Sequence, residues 1–313
     1  MLTILVTGAP LAGQDSTDCL RRLSRGRPLD SRSLTDIDDL RRTPLEHWLT
    51  EAFAIPGEAA VSAYAALADS SAAPSSDSLV LSPVHLRATL DHLVLHTSSE
   101  LGLTLDEAHA LADTANAHFE ADGLTLTPLS ARLWSLTGAH DLQALDLASS
   151  DAARGRNIDH YMPAGPAGRR ARALLNELQM LWFSHPVNDS RAQAGLPTVN
   201  SLWFEGRCAP LHGRPHETVL ATDPRIQGLA QAVAARFAEP GDPTHLVAQV
   251  REALTRGPTL LALDAGDEDR LGLFAAGGRW PADSRIVFVD DSGWRMHLLL
   301  PSGLLARLRR WRP

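Results

Sequence analysis

The chain has 313 residues, enough for one large core or two smaller ones, and its 44% hydrophobic and 21% charged residues place it among globular proteins. A formal net charge of −8 speaks against bulk electrostatic binding of nucleic acid. All 29 residues counted as Lys+Arg are arginine, which excludes a Walker-type phosphate lysine, a Schiff-base lysine and a lysine general base, while arginine can still clamp phosphate or carboxylate with its planar fork.

In chain order, the apolar run Leu2 to Val6 ended by Thr7-Gly8 predicts a buried first strand and a turn. Gly8 to Asp15 (GAPLAGQD) has the glycine spacing of a phosphate loop, but Gln14 stands where the lysine is needed, so a plain strand-to-helix turn is the reading. A helix is expected over 15–24, then an exposed polar stretch over 25–42. Helices are expected over 44–53 and 58–67, broken by Pro56-Gly57. The small and polar residues 68–78 read as a flexible linker within a single α/β domain spanning 1–313.

A strand is expected near 79–82, an extended passage through 84–86, and a second strand over 90–95. His85, Asp91, His92 and His96 supply imidazole and carboxylate, the common ligands of zinc, manganese or iron. On a strand over 90–95, Asp91 and His92 point to opposite faces, so histidines satisfied at a sheet edge are the simpler reading. Thr104 and Glu107 form a capping box opening a helix that closes at Asp122-Gly123. A hairpin is expected from strands at 124–127 and 132–136.

Polar, orientable side chains are densest between Gly155 and Gly206, where they stand among Trp182, Trp203 and Met180. The candidate cluster is Asn157, Asp159, Asn176, Glu177, His185, Asn188, Asp189, Arg191 and Asn200. Such groups are costly to bury without partners, so they mark either a site or a hydrogen-bonded network. The central helix is expected over 167–183, stopped by Pro186. Asn188 or Asp189 would cap a short following helix closed by Gly195. Arg169, Arg170 and Arg172 in the first turns of the central helix form a candidate anion site beside a helix N-terminus. His185 to Arg191 carries a His–Asp pair, but no G-x-S-x-G elbow accompanies it. Downstream, a strand over 199–204, helices over 225–237 and 244–254, and strands over 259–263, 285–289 and 294–300 are expected. The C-terminal Arg307, Arg309, Arg310 and Arg312, interleaved with Leu308 and Trp311, read as a basic amphipathic helix.

Interleaved strands and helices predict an α/β fold with a mixed, mostly buried sheet flanked by helices. Cys19 and Cys208 form no CxxC, no basic n-region precedes a long apolar stretch, and no run approaches the roughly 18 apolar residues of a membrane span, so a reduced cytoplasmic setting is the expectation.

The segments LSPVHLRATLDHLVL (81–95) and GRNIDHYMP with NELQMLWFSHPVNDSRAQAGLPTVNSLWFEG (within 155–206) resemble a proteobacterial family of RpfE-type regulatory, cofactor-independent phosphoglycerate mutase-like proteins. The resemblance implies a distant alkaline-phosphatase-like α/β core. It implies a non-catalytic or catalytically degenerate regulatory or interaction protein, with a metal-dependent phosphoesterase or mutase as the alternative. In the first case no cofactor is expected. In the second, manganese or zinc would be held by residues such as His85, Asp91 and His92, with His185 and Asp189 converging on them. A protein partner and a small phosphorylated ligand are the candidate partners; nucleic acid and membrane are not expected.

Overall fold

The computed structural model describes residues 1–8, 29–33, 40–57, 59–69, 77–142, 145–267, 269–271, 280–291 and 293–298. The turn after Gly8, the helix expected over 15–24, most of the linker segment and the C-terminal arginine segment lie outside the described residues.

The chain begins with β1 (Leu2–Thr7), β2 (Asp30–Ser33) and α1 (Pro44–Ala52), followed by α2 (Val61–Asp69), β3 (Leu79–Ala88) and β4 (Leu93–His96). The short α3 (Ser98–Leu101) leads into α4 (Leu105–Phe119), then β5 (Thr125–Pro128), β6 (Trp134–Thr137) and the one-turn α5 (Ser150–Ala153). The signature segment forms α6 (Gly165–Phe183), α7 (Pro186–Gln193) and β7 (Ser201–Gly206). The chain ends its described part with β8 (Thr218–Leu220), α8 (Pro224–Ala232), β9 (Arg236–Ala238), α9 (Pro243–Arg256), β10 (Thr259–Asp264), β11 (Arg285–Asp290) and β12 (Gly293–Leu298).

Contacts group the chain into two compact units: 1–36, 44–54 and 211–313 in one, 37–43 and 55–210 in the other. Both elements that border the linker segment, α2 and β3, belong to the second unit.

The first unit is built on a seven-stranded mixed sheet in the order β2-β12-β11-β1-β10-β8-β9. The five strands from β11 to β9 run parallel, while β12 is antiparallel to β11 and β2 to β12. This is the α/β architecture with a mixed sheet that the sequence pattern predicts. Leu2, Ile4, Val6, Leu261, Leu263, Ile286 and Phe288 fill its core with Leu246 and Val250 of α9. β1 and β10 read as near-continuous apolar runs because both faces of a parallel sheet are covered. β8, β9 and β2 were not legible: the first two have three residues each, and β2 is the polar run DSRS. The helix expected over 225–237 is therefore shorter, with its last residues forming β9.

The second unit carries a separate antiparallel sheet, β4-β3-β6-β5, with β7 also paired to β3. The expected hairpin is present as β5–β6, but it lies in this sheet; the mixing in the seven-stranded sheet comes from β2 and β12. Trp182 of α6 meets Trp134 of β6 edge to face, with centroids 5.8 Å apart, and its indole N–H donates to the Leu111 carbonyl of α4 at 3.1 Å. The buried Trp therefore has its polar handle satisfied. The Thr104 capping box forms as predicted: Thr104 N–H donates to Glu107 Oε2 at 2.8 Å and Glu107 N–H to Thr104 Oγ1 at 3.3 Å.

Two local expectations change. β4 starts at Leu93, so Leu90, Asp91 and His92 form the β3–β4 turn, closed by Thr89 N–H donating to the His92 carbonyl at 2.9 Å. Pro186 does not merely stop α6; it is the first residue of α7, where its missing N–H costs nothing, and His185 rather than Asn188 or Asp189 is the cap.

Candidate functional site

The candidate cluster of the signature segment lies within the second unit. Here the peptide folds back sharply at α6–α7 and returns as β7, and each reversal leaves backbone groups that no regular ladder satisfies. Asn188, 4% exposed, fills this need. Its Nδ2 donates to the Trp182 and Val199 carbonyls, both at 2.8 Å, and its Oδ1 accepts from Val199 N–H at 2.8 Å. Asn200 does the same for β3, exchanging 2.7 and 2.9 Å bonds with the N–H and carbonyl of Leu86. The two asparagine amides thus act as short pieces of backbone.

Arg191 is 1% exposed. Its Nε donates to the Pro197 carbonyl at 2.9 Å, one terminal nitrogen to both Glu107 oxygens at 3.1 and 3.0 Å, and the other to the Leu101 carbonyl at 2.5 Å. Burial opposes ionisation of Glu107, but the Thr104 N–H and hydroxyl and the Arg191 guanidinium outweigh it and hold the carboxyl below the usual range. The guanidinium fork therefore ties the turn after α7 to the start of α4.

His185 accepts from Val187 N–H on Nδ1 at 3.2 Å, and its Nε2 meets Thr114 Oγ1 at 3.0 Å. That pairing places the ring proton on Nε2. Asp189, four residues on, is exposed; its backbone N–H donates to the His185 carbonyl at 3.0 Å, while the described contacts of the His185 ring are Val187 N–H and Thr114 Oγ1. Asn157 caps a 3-10 turn through Asp159 N–H at 3.0 Å, and Asp159 itself is exposed. Glu177 pairs with His118 at 3.2 Å, while Asn176 lies on the exposed face of α6.

Of the arginines on α6, Arg170 faces Asp122 and Asp141 at 3.7 and 3.4 Å, and Arg172 donates to the Pro163 carbonyl. Arg169 is exposed. Of the metal candidates, His85 is held through Nδ1 near the Thr198 carbonyl at 2.9 Å. It sits opposite His96 in the β3–β4 register, ring centroids 6.1 Å apart. His92 pairs with Asp91 at 2.7 Å in the exposed turn. Among the described residues no three His, Cys, Asp or Glu side chains are grouped to hold a metal ion. The described donor set therefore does not fit a two-metal centre.

A buried group that the sequence did not single out is Glu205 of β7, 2% exposed. The Ser82 hydroxyl of β3 and its Oε1 lie 2.5 Å apart, and Ser150 N–H donates to Oε2 at 3.2 Å. Burial pushes its carboxyl up to about 7, against the lowering effect of the Ser150 and Ser82 bonds and with a further raising effect from Asp151. The alternation of β7 could have pointed to it: Leu202 and Phe204 face one core, so Glu205 shares the other face with Trp203.

In the first unit, the carboxyl ends of the parallel strands bring Thr7 level with Asp264 on one side and Val289 on the other, with Asp290 next in β11. Asp264 Oδ1 accepts from Gly266 N–H at 2.8 Å.

No protein-family model matches the chain, and no curated protein matches it. Among solved structures the chain is similar to the cofactor-independent phosphoglycerate mutase of Thermoplasma acidophilum DSM 1728, with 14% identity over 96% of this chain and 89% of that one and a TM-score of 0.46. It is also similar to the PH0037 protein of Pyrococcus horikoshii, with 12% identity over 93% of this chain and 82% of that one and a TM-score of 0.49. These likenesses assign no role to any residue.

Proposed function

We propose that this chain is a non-catalytic or catalytically degenerate regulatory or interaction protein of phosphoglycerate mutase-like descent. One observation carries the reading: Asn188, Arg191 and Asn200 of its signature segment direct their hydrogen bonds to backbone carbonyls and amides and to one capping carboxylate. Groups consumed in this way build a scaffold and are not free to meet a substrate. Family descent rests on the likeness of segments 81–95 and 155–206. Met180 and Phe183, 78% and 86% exposed on one face of α6, give this reading an apolar surface suited to a protein partner.

The test is equilibrium dialysis of the purified chain against manganese and zinc, followed by turnover assays with p-nitrophenyl phosphate and 3-phosphoglycerate. The expected outcome is no stoichiometric metal and no turnover above the buffer rate. Stoichiometric metal with phosphoryl transfer would overturn the reading.

The metal-dependent phosphoesterase alternative has one observation in its favour. Asp264 and Asp290 end the two strands that flank Thr7-Gly8, the edge at which parallel α/β sheets take ligands. If that edge is an active centre, Asp264→Asn abolishes any phosphatase activity while leaving the thermal midpoint within a few degrees.

A further inference from the structure

Glu205 is a fully buried carboxyl for which the described residues supply no cation. Its neighbours come from three places. From β3 comes Ser82, which is neutral. From the turn that opens α5 come Ser149, Ser150 and Asp151, and only Asp151 is charged; it carries the same sign as the carboxylate. Just past the end of β7, Arg207 has the charge of Asp77 as its electrostatic partner. α2, which also packs on β3 and β7, carries no charged residue before Asp69 at its end. α6 packs on the opposite face of β7, against Leu202 and Phe204. Nearby Arg41 accepts Ser149 N–H on its carbonyl and turns its side chain to Asp146, at 3.4 Å. A carboxylate in such surroundings is strongly disfavoured, whereas the neutral acid keeps both contacts, because an O–H···O contact can run in either direction.

Glu205 also holds a segment that packs on Trp203. That segment borders Trp203: the Trp203 indole donates to the Ala148 carbonyl at 2.7 Å, and Ala148, Ala152 and Ala153 share its buried apolar cluster. Beside it lies a small apolar pocket lined by Leu147, Tyr161, Met162, Pro163 and Phe204.

We infer that Glu205 is a proton-operated latch: as the neutral acid it clasps the 147–153 segment onto β3 and β7, and loss of its proton releases that segment and uncovers Trp203 and the apolar pocket. Deprotonation is the whole step: the carboxyl O–H breaks and the proton passes to water or buffer. With a folded value near 7 against an ordinary 4.5, the latch is fully closed below about pH 4.5 and is progressively lost as pH rises through 7.

The test is hydrogen exchange of the Ser150 and Ala152 amides on the full chain between pH 5 and pH 8, corrected for intrinsic exchange. If opening exposes Glu205 to water, protection falls on the order of 50-fold over that interval in the native chain. In Glu205→Gln, which keeps the shape and cannot ionise, protection is constant. Asp151→Asn, at an exposed position, removes the like charge and moves the midpoint to lower pH. Protection that is independent of pH in the native chain, that falls equally in Glu205→Gln, or whose midpoint ignores Asp151→Asn overturns the inference. If Glu205→Gln does not fold, the native profile and the Asp151→Asn shift decide alone.

Discussion

Replacing Arg191 with methionine isolates the largest polar investment of the second unit. Methionine preserves much of the side-chain volume and deletes every donor. The change leaves the Pro197 and Leu101 carbonyls without their partner and Glu107 without its counter-charge. Removing one member of a buried pair costs about 3–5 kcal/mol. Glu107, however, is 24% exposed and keeps its bonds to Thr104, so water meets part of its loss. Adding about 1 kcal/mol for each orphaned carbonyl and discounting the pair for that exposure gives about 3–4 kcal/mol in total. The assay is urea denaturation followed by far-ultraviolet circular dichroism, with Glu107→Gln and the double variant completing a cycle. A coupling energy of about 1–3 kcal/mol is expected. A stability loss below about 1 kcal/mol in Arg191→Met would refute the claim that this fork is a principal tie of the fold.

Other consequences follow from single contacts. Asn188→Ala leaves the Val199 carbonyl and N–H without their side-chain partner and removes one of the donors to the Trp182 carbonyl, which keeps His185 N–H; a loss of about 2–4 kcal/mol in unfolding free energy by urea denaturation is expected, whereas Asp189→Ala, on the exposed face of the same helix, stays within about 0.5 kcal/mol. His216 of the first unit is 5% exposed, and burial, with a smaller contribution from the N-terminal amine, pushes its ring down to about 4. Because the folded value lies below the ordinary 6.5, the native state binds fewer protons than the unfolded chain between pH 6.5 and 4. Stability therefore falls as pH drops through that window, by about 3 kcal/mol in all, and His216→Leu flattens this acid limb in thermal scans. Gly138 has φ +83°, and a Cβ there would overlap the Gly123 carbonyl, so Gly138→Ala costs more than the about 1 kcal/mol of an ordinary left-handed position, read as a lower thermal midpoint.

Much of the scaffold follows from short-range rules that the sequence states directly. The Thr104–Glu107 capping box, the apolar stripe of α6, the strand LTILV and the β5–β6 hairpin each depend on residues a few positions apart. The turn at Leu90 to His92 was hidden because an apolar run reads equally as strand or turn until its partner strand sets the register. The second role of Pro186, opening α7 as well as following the end of α6, is open in the sequence for a related reason: proline both ends and begins helices, and only the backbone path chooses.

The signature segment shows where sequence stops. Composition and spacing marked Asn188, Arg191 and Asn200 as groups that must find partners, because buried amides and guanidinium are costly alone. Their partners are Trp182, Val199, Pro197, Leu101, Glu107 and Leu86, and three of these six lie more than 80 positions away in the chain. Glu205 is the sharper case. As a letter in LWFEG it is an ordinary strand carboxylate. Only the tertiary structure removes water from it, sets Ser82 and Ser150 against it and leaves it without a cation, since desolvation is a property of everything packed around a group and not of its neighbours in sequence.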